Sequence, residues 1–197
     1  MKENIVKILA KILPSFLKNG GKKIIRKLED EIYAYKNDNI EGEMTRGELN
    51  LLFLKAKKMN SIVEIGSWKG RSTHALLSGC HGLVYAVDTF KNSTNKKDSY
   101  NDFIRNVEHF ENLRIYRMKS LEAAKKFKDK SIDMVFIDAD HSYEAVKSDI
   151  EAWLPKTKKL ICGHDYDPKE WPGVVKAVNE KFLKIKSVHH VWFYFLN

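Results

Sequence analysis

The sequence predicts an α/β domain with a doubly wound, mostly parallel sheet of seven strands, an antiparallel pair at its C-terminal end and helices at its N-terminus. Two observations carry this reading. From Ser61 onward, short apolar runs alternate with segments of helical spacing, as in repeated strand–helix units that pair in parallel. The last two runs, Lys184 to Val188 and Val191 to Phe195, are separated only by His189-His190, which suits a hairpin.

Each element has a local reason. Ile5, Ile8, Leu9, Ile12 and Phe16 recur at helical spacing between lysines, and Ile25, Leu28, Ile32 and Tyr35 repeat the pattern after Gly20-Gly21. Residues 1–40 therefore read as a basic amphipathic helical extension that packs on the domain or on a second copy as a homodimer, or lies on a membrane surface. Packing is favoured, because Pro14 disfavours helix at Leu13. Residues 41–197 form the main domain. It opens at Thr45-Arg46-Gly47-Glu48, a capping box ahead of a helix through Leu49, Leu52 and Phe53. Strands are expected at Ser61 to Ile65, Leu83 to Val87, Leu113 to Tyr116, Met134 to Ile137 and Leu160 to Cys162. Helices are expected after Gly70, at Phe103 to Phe110, Leu121 to Phe127 and Tyr143 to Trp153, and from Pro172 with Val174, Val178 and Phe182 inward.

Composition sets outer bounds. With 43% hydrophobic residues the chain can build one core, and no stretch is apolar enough to cross a bilayer. The start lacks a small-residue cleavage site, so a cytoplasmic protein is expected. Cys80 and Cys162 lack paired spacing and read as buried free thiols. The net charge of +9 favours anionic partners, but the lysines are dispersed and no aromatic residues interleave with a basic patch, so nucleic acid is disfavoured.

The chemistry concentrates at Val63-Glu64-Ile65-Gly66-Ser67-Trp68-Lys69-Gly70-Arg71-Ser72-Thr73, a strand, a glycine turn and a helix start. Gly66 and Gly70 let backbone approach a ligand, and the helix start offers free N–H groups to an anion. Asp88 follows Gly70 by 18 residues at the end of an apolar run, where a carboxylate can hold the ribose hydroxyls of an adenosine cofactor. The turn lacks the close glycine pair of a dinucleotide fingerprint. It is also one residue short of a P-loop and lacks its lysine, which leaves a P-loop-like nucleotide hydrolase as a distant alternative.

These residues resemble the class I S-adenosylmethionine-dependent methyltransferases of Rossmann-like fold, and among them methyltransferase family 24. The resemblance runs from about Glu41 to Val178 and rests on Glu64 to Thr73, Val87-Asp88-Thr89-Phe90, Phe136-Ile-Asp-Ala-Asp-His-Ser-Tyr143 and Gly163-His-Asp-Tyr166. It implies that Glu64, Gly66, Ser67, Gly70, Arg71, Ser72, Asp88, Thr89, Asp138 and Thr45 contact S-adenosylmethionine, with Ser120 beside the adenine. Asp138-Ala139-Asp140-His141 then faces the transferred methyl. Catechol and caffeoyl-coenzyme A O-methyltransferases, which look like distant relatives, place a magnesium ligand at the position of Asp138 and a basic lysine at that of His141. Histidine can take a hydroxyl proton too. His141 is therefore the expected base with Asp140 beside it, or else it joins the cap of the helix at Ser142. Asp138, Asp165 and His164 are the candidate ligands of Mg2+ or another divalent cation. Those relatives have asparagine after the second acid, where this chain has Tyr166. The expected activity is O-methylation of a small molecule or sugar; a non-catalytic cofactor-binding subunit docking to a membrane surface or complex is the alternative.

Overall fold

The structure is a computed structural model that describes residues 35–37, 39–91 and 98–196. The expected helices before Tyr35, and with them any membrane contact, lie outside the described residues. Helix α1 (Arg46–Ala56) opens on the capping box: Thr45 Oγ1 accepts from the Glu48 N–H at 3.4 Å, and Glu48 accepts from the Thr45 N–H at 2.7 Å. Strands β1 (Ser61–Ile65), β2 (Leu83–Val87), β3 (Leu113–Tyr116), β4 (Ile132–Ile137), β5 (Thr157–Gly163), β6 (Lys186–Val188) and β7 (Val191–Phe195) form one sheet in the order β3-β2-β1-β4-β5-β7-β6. The first five are parallel, and β7 is antiparallel to both β5 and β6.

The sheet is covered on both faces, which is why its central strands read as unbroken apolar runs. Helices α1, α2 (Arg71–Gly79) and α3 (Tyr100–Val107) pack Leu49, Leu52, Leu76 and Phe103 against one face. Helices α4 (Ser120–Ala124), α5 (Tyr143–Trp153) and α6 (Pro172–Lys181) pack Ala123, Ile150, Trp153 and Val178 against the other. Both cysteines are buried and free. Among the described residues no helix is long and apolar enough to cross a membrane.

Some boundaries move for physical reasons. β5 starts at Thr157, ahead of the apolar run, because Lys158 and Lys159 ride the strand exposed while pairing with buried Asp133. Helix α4 stops at Ala124 rather than Phe127, whose ring leaves the helix to pack on Tyr85 and Trp153. Helix α3 begins three residues early, at Tyr100, where that ring sits against Phe90.

One feature of the sheet positions everything functional. Just past the strand ends, single hydrogen bonds continue the ladder: Asp88 N to Tyr116 O at 3.2 Å, Gly66 N to Val87 O at 3.0 Å, Asp138 N to Ile65 O at 2.8 Å and His164 N to Ile137 O at 3.1 Å. Asp88, Gly66, Asp138 and His164 thus stand in a row along the carboxyl edge. The strand order reverses at β1, and the crevice at such a switch point is where open α/β sheets bind ligands. At that crevice Gly66 has φ +86°, and a Cβ there would lie 2.0 Å from the Asp138 carbonyl oxygen.

Gly66→Ala should therefore lower stability by roughly 3 kcal/mol or more, from left-handed backbone plus overpacking against main chain. Urea denaturation checks this; a variant within about 1 kcal/mol of wild type would mean that the turn has room to shift.

Candidate active site

The glycine turn is held from three sides. Gly70, the N-cap of α2, has φ +87°, and no side chain caps that helix, so its first N–H groups stay available to a ligand. Trp68 is also in left-handed backbone, at φ 43°. Asp88 braces the turn: its Oδ2 accepts the N–H groups of Ser67 and Trp68, each at 2.8 Å, and its Oδ1 accepts that of Phe90 at 2.6 Å. A carboxylate offers about four acceptor sites, so this bracing leaves room for a ribose hydroxyl.

Glu64 lies under the turn with no exposed surface. Its Oε2 accepts the hydroxyls of Ser67, at 2.7 Å, and Thr73. Burial pushes its carboxyl up to about 7, against the pull of hydroxyls from Ser72, Thr73 and Ser67. Among the described residues, its other oxygen, Oε1, is buried without a hydrogen-bond partner. A buried orphan acceptor beneath an uncapped helix start fits the amino-acid end of S-adenosylmethionine, which brings an ammonium donor and a carboxylate together.

Other expected cofactor residues have structural duties. Arg71 donates from Nε to Met44 O at 2.9 Å and from Nη1 to Ile40 O, clamping the segment before α1 onto α2. Thr45 is the exposed cap of α1. Thr89 Oγ1 accepts the Lys91 N–H at 3.4 Å. The Ser120 hydroxyl donates to Asp149 and accepts from Trp153 Nε1 at 2.8 Å, so it is committed to the core behind α5. Burial pushes the Asp149 carboxyl up to about 6.

On the other side of Gly66, the ends of β4 and β5 bring the candidate reacting groups together. His141 Nε2 lies 2.8 Å from Asp165 Oδ2 and 3.9 Å from Asp138 Oδ1. Asp138, His141 and Asp165 present donor atoms within 4.8 Å of one another. The carboxylates of Asp138 and Asp165 hold the His141 proton and raise its pKa to about 9, against partial burial. Asp165, at φ 58°, is half-buried, which alone would raise its pKa, but His141 and His164 pull it well below the usual range. The cap of α5 is Ser142, with Asp140 accepting the Ser142 N–H at 2.8 Å, so Asp140 serves the exposed loop and His141 is left to the cluster.

The expected cation set shifts by one imidazole. His164 Nδ1 is 3.1 Å from Asp165 Oδ1 and 3.7 Å from Asp138 Oδ1, but its Nε2 faces Glu48 Oε1 at 3.4 Å, so it bridges the acids to α1, whereas it is His141 that gathers with the two acids within 4.8 Å. Two residues escaped the sequence reading. Glu48 was visible only as a helix cap. Trp171 packs its ring 4.3 Å from the His141 ring, and its sole signal was an aromatic residue ahead of Pro172.

Glu64 generates a pH prediction. Its folded pKa of about 7 exceeds the ordinary 4.5, so between these values the unfolded chain ionises first and native stability drains away as pH rises, leaving a loss of about 3 kcal/mol above pH 7. Glu64→Gln should remove that loss. Its stability relative to wild type should climb from pH 4.5 to 7 in urea melts, whereas S-adenosylmethionine affinity should fall about tenfold.

The family model for the methyltransferase domain of methyltransferase family 24 matches residues 63–166, more than half of the chain. A curated relative, uncharacterized protein y4gI of Sinorhizobium fredii, is 24% identical over 139 residues, 64% of this chain; the chain spans only 15% of that protein. Three solved structures share the fold. A methyltransferase from Geobacter sulfurreducens is 16% identical, with TM-score 0.61, over 88% of this chain and 84% of that one. An O-methyltransferase from Bacillus cereus, solved with S-adenosylhomocysteine, is 16% identical, with TM-score 0.60, over 88% and 97%. A Podospora anserina methyltransferase, also bound to S-adenosylhomocysteine, is 14% identical, with TM-score 0.57, over 77% and 78%. With the strand-end glycine turn, the braced Asp88 and the sheet order already in place, the chain belongs to methyltransferase family 24, as a class I S-adenosylmethionine-dependent methyltransferase domain.

Proposed function

We propose that the domain methylates a hydroxyl of a small molecule or sugar, with His141 taking the hydroxyl proton. The observation that carries this is the Asp138–His141–Asp165 cluster, set against the glycine turn through the Gly66–Asp138 contact. S-adenosylmethionine supplies an electrophilic sulfonium methyl and leaves as the neutral thioether. The protein orients the two partners and accepts a proton, effects that together account for most of the acceleration expected of such a site.

With Nε2 committed to Asp165, the nitrogen of His141 left for the acceptor is Nδ1. Its raised pKa makes it a strong proton acceptor that rests as imidazolium at neutral pH. A sulfonium brought into the same crevice opposes that second positive charge and favours the neutral, basic ring. Trp171 closes one side of the imidazole and offers a flat face to an aromatic or sugar acceptor.

A second reading has the same three residues holding a divalent cation, with two carboxylates and one imidazole as donors. It would lower the pKa of a bound hydroxyl. A cation here displaces the His141 proton, so the two readings exclude each other in a single turnover.

Calorimetric titration should show saturable S-adenosylmethionine binding that Asp88→Asn weakens by about tenfold or more. His141→Ala should lower methyl transfer to a panel of phenols and sugars by roughly 10²–10⁴-fold, with cofactor affinity nearly unchanged. Wild-type turnover in that variant would remove the base. Magnesium titrated with and without chelator separates the readings: chelator-sensitive turnover favours the cation, and indifference favours the imidazole.

A further inference from the structure

We propose that Glu48 and His164 are positioning residues for methyl transfer: a row of alternating acid and imidazole, buried at its α1 end and half-buried at the site, runs from α1 and sets the plane of Asp165, and through it the ring of His141. This rests on the reading of His141 as proton acceptor. Glu48 Oε1 stands opposite His164 Nε2 as an ion pair at 3.4 Å, outside hydrogen-bond geometry; His164 Nδ1 lies 3.1 Å from Asp165 Oδ1 and 3.7 Å from Asp138 Oδ1, and Asp165 Oδ2 lies 2.8 Å from His141 Nε2. Each oxygen of Asp165 serves a different imidazole, so the carboxylate cannot rotate without giving up one of them.

The far end of the row is anchored. Glu48 is 1% exposed and His164 8%. Glu48 Oε2 takes the N–H and hydroxyl of Thr45 at 2.7 and 2.8 Å, and Oε1 takes the His190 N–H at 3.3 Å. Helix α1, the hairpin before β7 and the end of β5 therefore meet on one carboxylate. A capping box alone asks only for a Glu or Gln that reaches its own cap residue, and Gln would serve without a charge. A buried acid with an imidazole opposite is costly in comparison, so the charge has a use beyond the cap. That use is to hold His164 with Nδ1 toward Asp165.

Glu48 also lies on α1, ahead of the segment that the family model matches. The site is thus completed by a part of the chain outside the shared core.

The test is nitrogen-edited NMR of the histidine side chains in the full chain. In wild type, the His164 Nδ1–H and His141 Nε2–H protons should appear downfield and protected from exchange; an unprotonated His141 Nε2 would overturn the proposal. Glu48→Gln keeps the cap and removes the charge, and His164→Asn keeps a donor toward Asp165 but loses Glu48. Both should shift the His141 ring signals in the same direction with S-adenosylmethionine affinity within about threefold of wild type, and the double variant should go no further than His164→Asn. Unmoved His141 signals in a folded variant would overturn the proposal, and if neither variant folds the wild-type spectrum decides. Full methyl transfer by His141→Ala would instead sink the base reading and leave these spectra unchanged in meaning.

Discussion

The contact between Gly66 and the backbone of Asp138 and Ala139 governs the rest of the molecule. With no side chain at Gly66, the end of β1 lies against the end of β4, and a Cβ would come within 2.6 Å of the Asp138 carbonyl carbon and 2.8 Å of the Ala139 Cα. The glycine turn and the acids proposed to take part in the reaction are consequently parts of one rigid edge. Orientation then costs little at the moment of reaction, because the main chain has already fixed it during folding. Left-handed backbone at Trp68 and Asp165 marks where the edge bends to present its groups, at a cost repaid by packing elsewhere.

The two halves of that edge treat buried carboxyls in opposite ways. Among the described residues, the donors about Glu64 are the hydroxyls of Ser67, Ser72 and Thr73, so desolvation prevails and the acid holds its proton near neutrality. Asp165 is half-buried, and the two imidazoles that flank it outweigh its desolvation, so it stays ionised. Glu48 follows the same logic, lowered to about 2 because the imidazole of His164 opposite it and the hydrogen bonds from Thr45 overcome its burial. The arrangement separates a neutral buried acid from a charged cluster of carboxylates and imidazoles. A ligand ammonium at Glu64 would reverse the balance there and ionise it.

The fold was largely legible because it is written in local patterns. Ser61 to Ile65, Leu83 to Val87, Leu113 to Tyr116 and the helix Tyr143–Trp153 begin and end where the apolar spacing places them. The errors fell where tertiary contacts override spacing, as when Asp133 draws Lys158 and Lys159 onto a strand, or the core takes Phe127 out of its helix. In the candidate site, the glycine turn and Asp88 stood out because they sit at strand ends that the apolar pattern marks, whereas Asp138, His141 and Asp165 were singled out by the family resemblance, and the structure gathers those three together. Ser120 illustrates the limit. Its position after β3 was clear, but the direction of its hydroxyl depends on Asp149 and Trp153, about thirty residues away.

Glu48 shows a deeper limit, because its residue type already had a sufficient local explanation. Thr45-x-x-Glu48 accounts for itself as a capping box, and nothing nearby asks for more. Only the packing of α1 beside the end of β5 reveals that one oxygen caps the helix while the other faces His164. A residue satisfying a local rule and a distant one at once is invisible to motif reading, since the local rule exhausts its signal. Such residues are where an element outside the common core becomes part of the chemistry. Because α1 lies there, the environment of His141 can differ between proteins that share the same glycine turn and the same acids, and it can do so without any change in the motifs that define the fold.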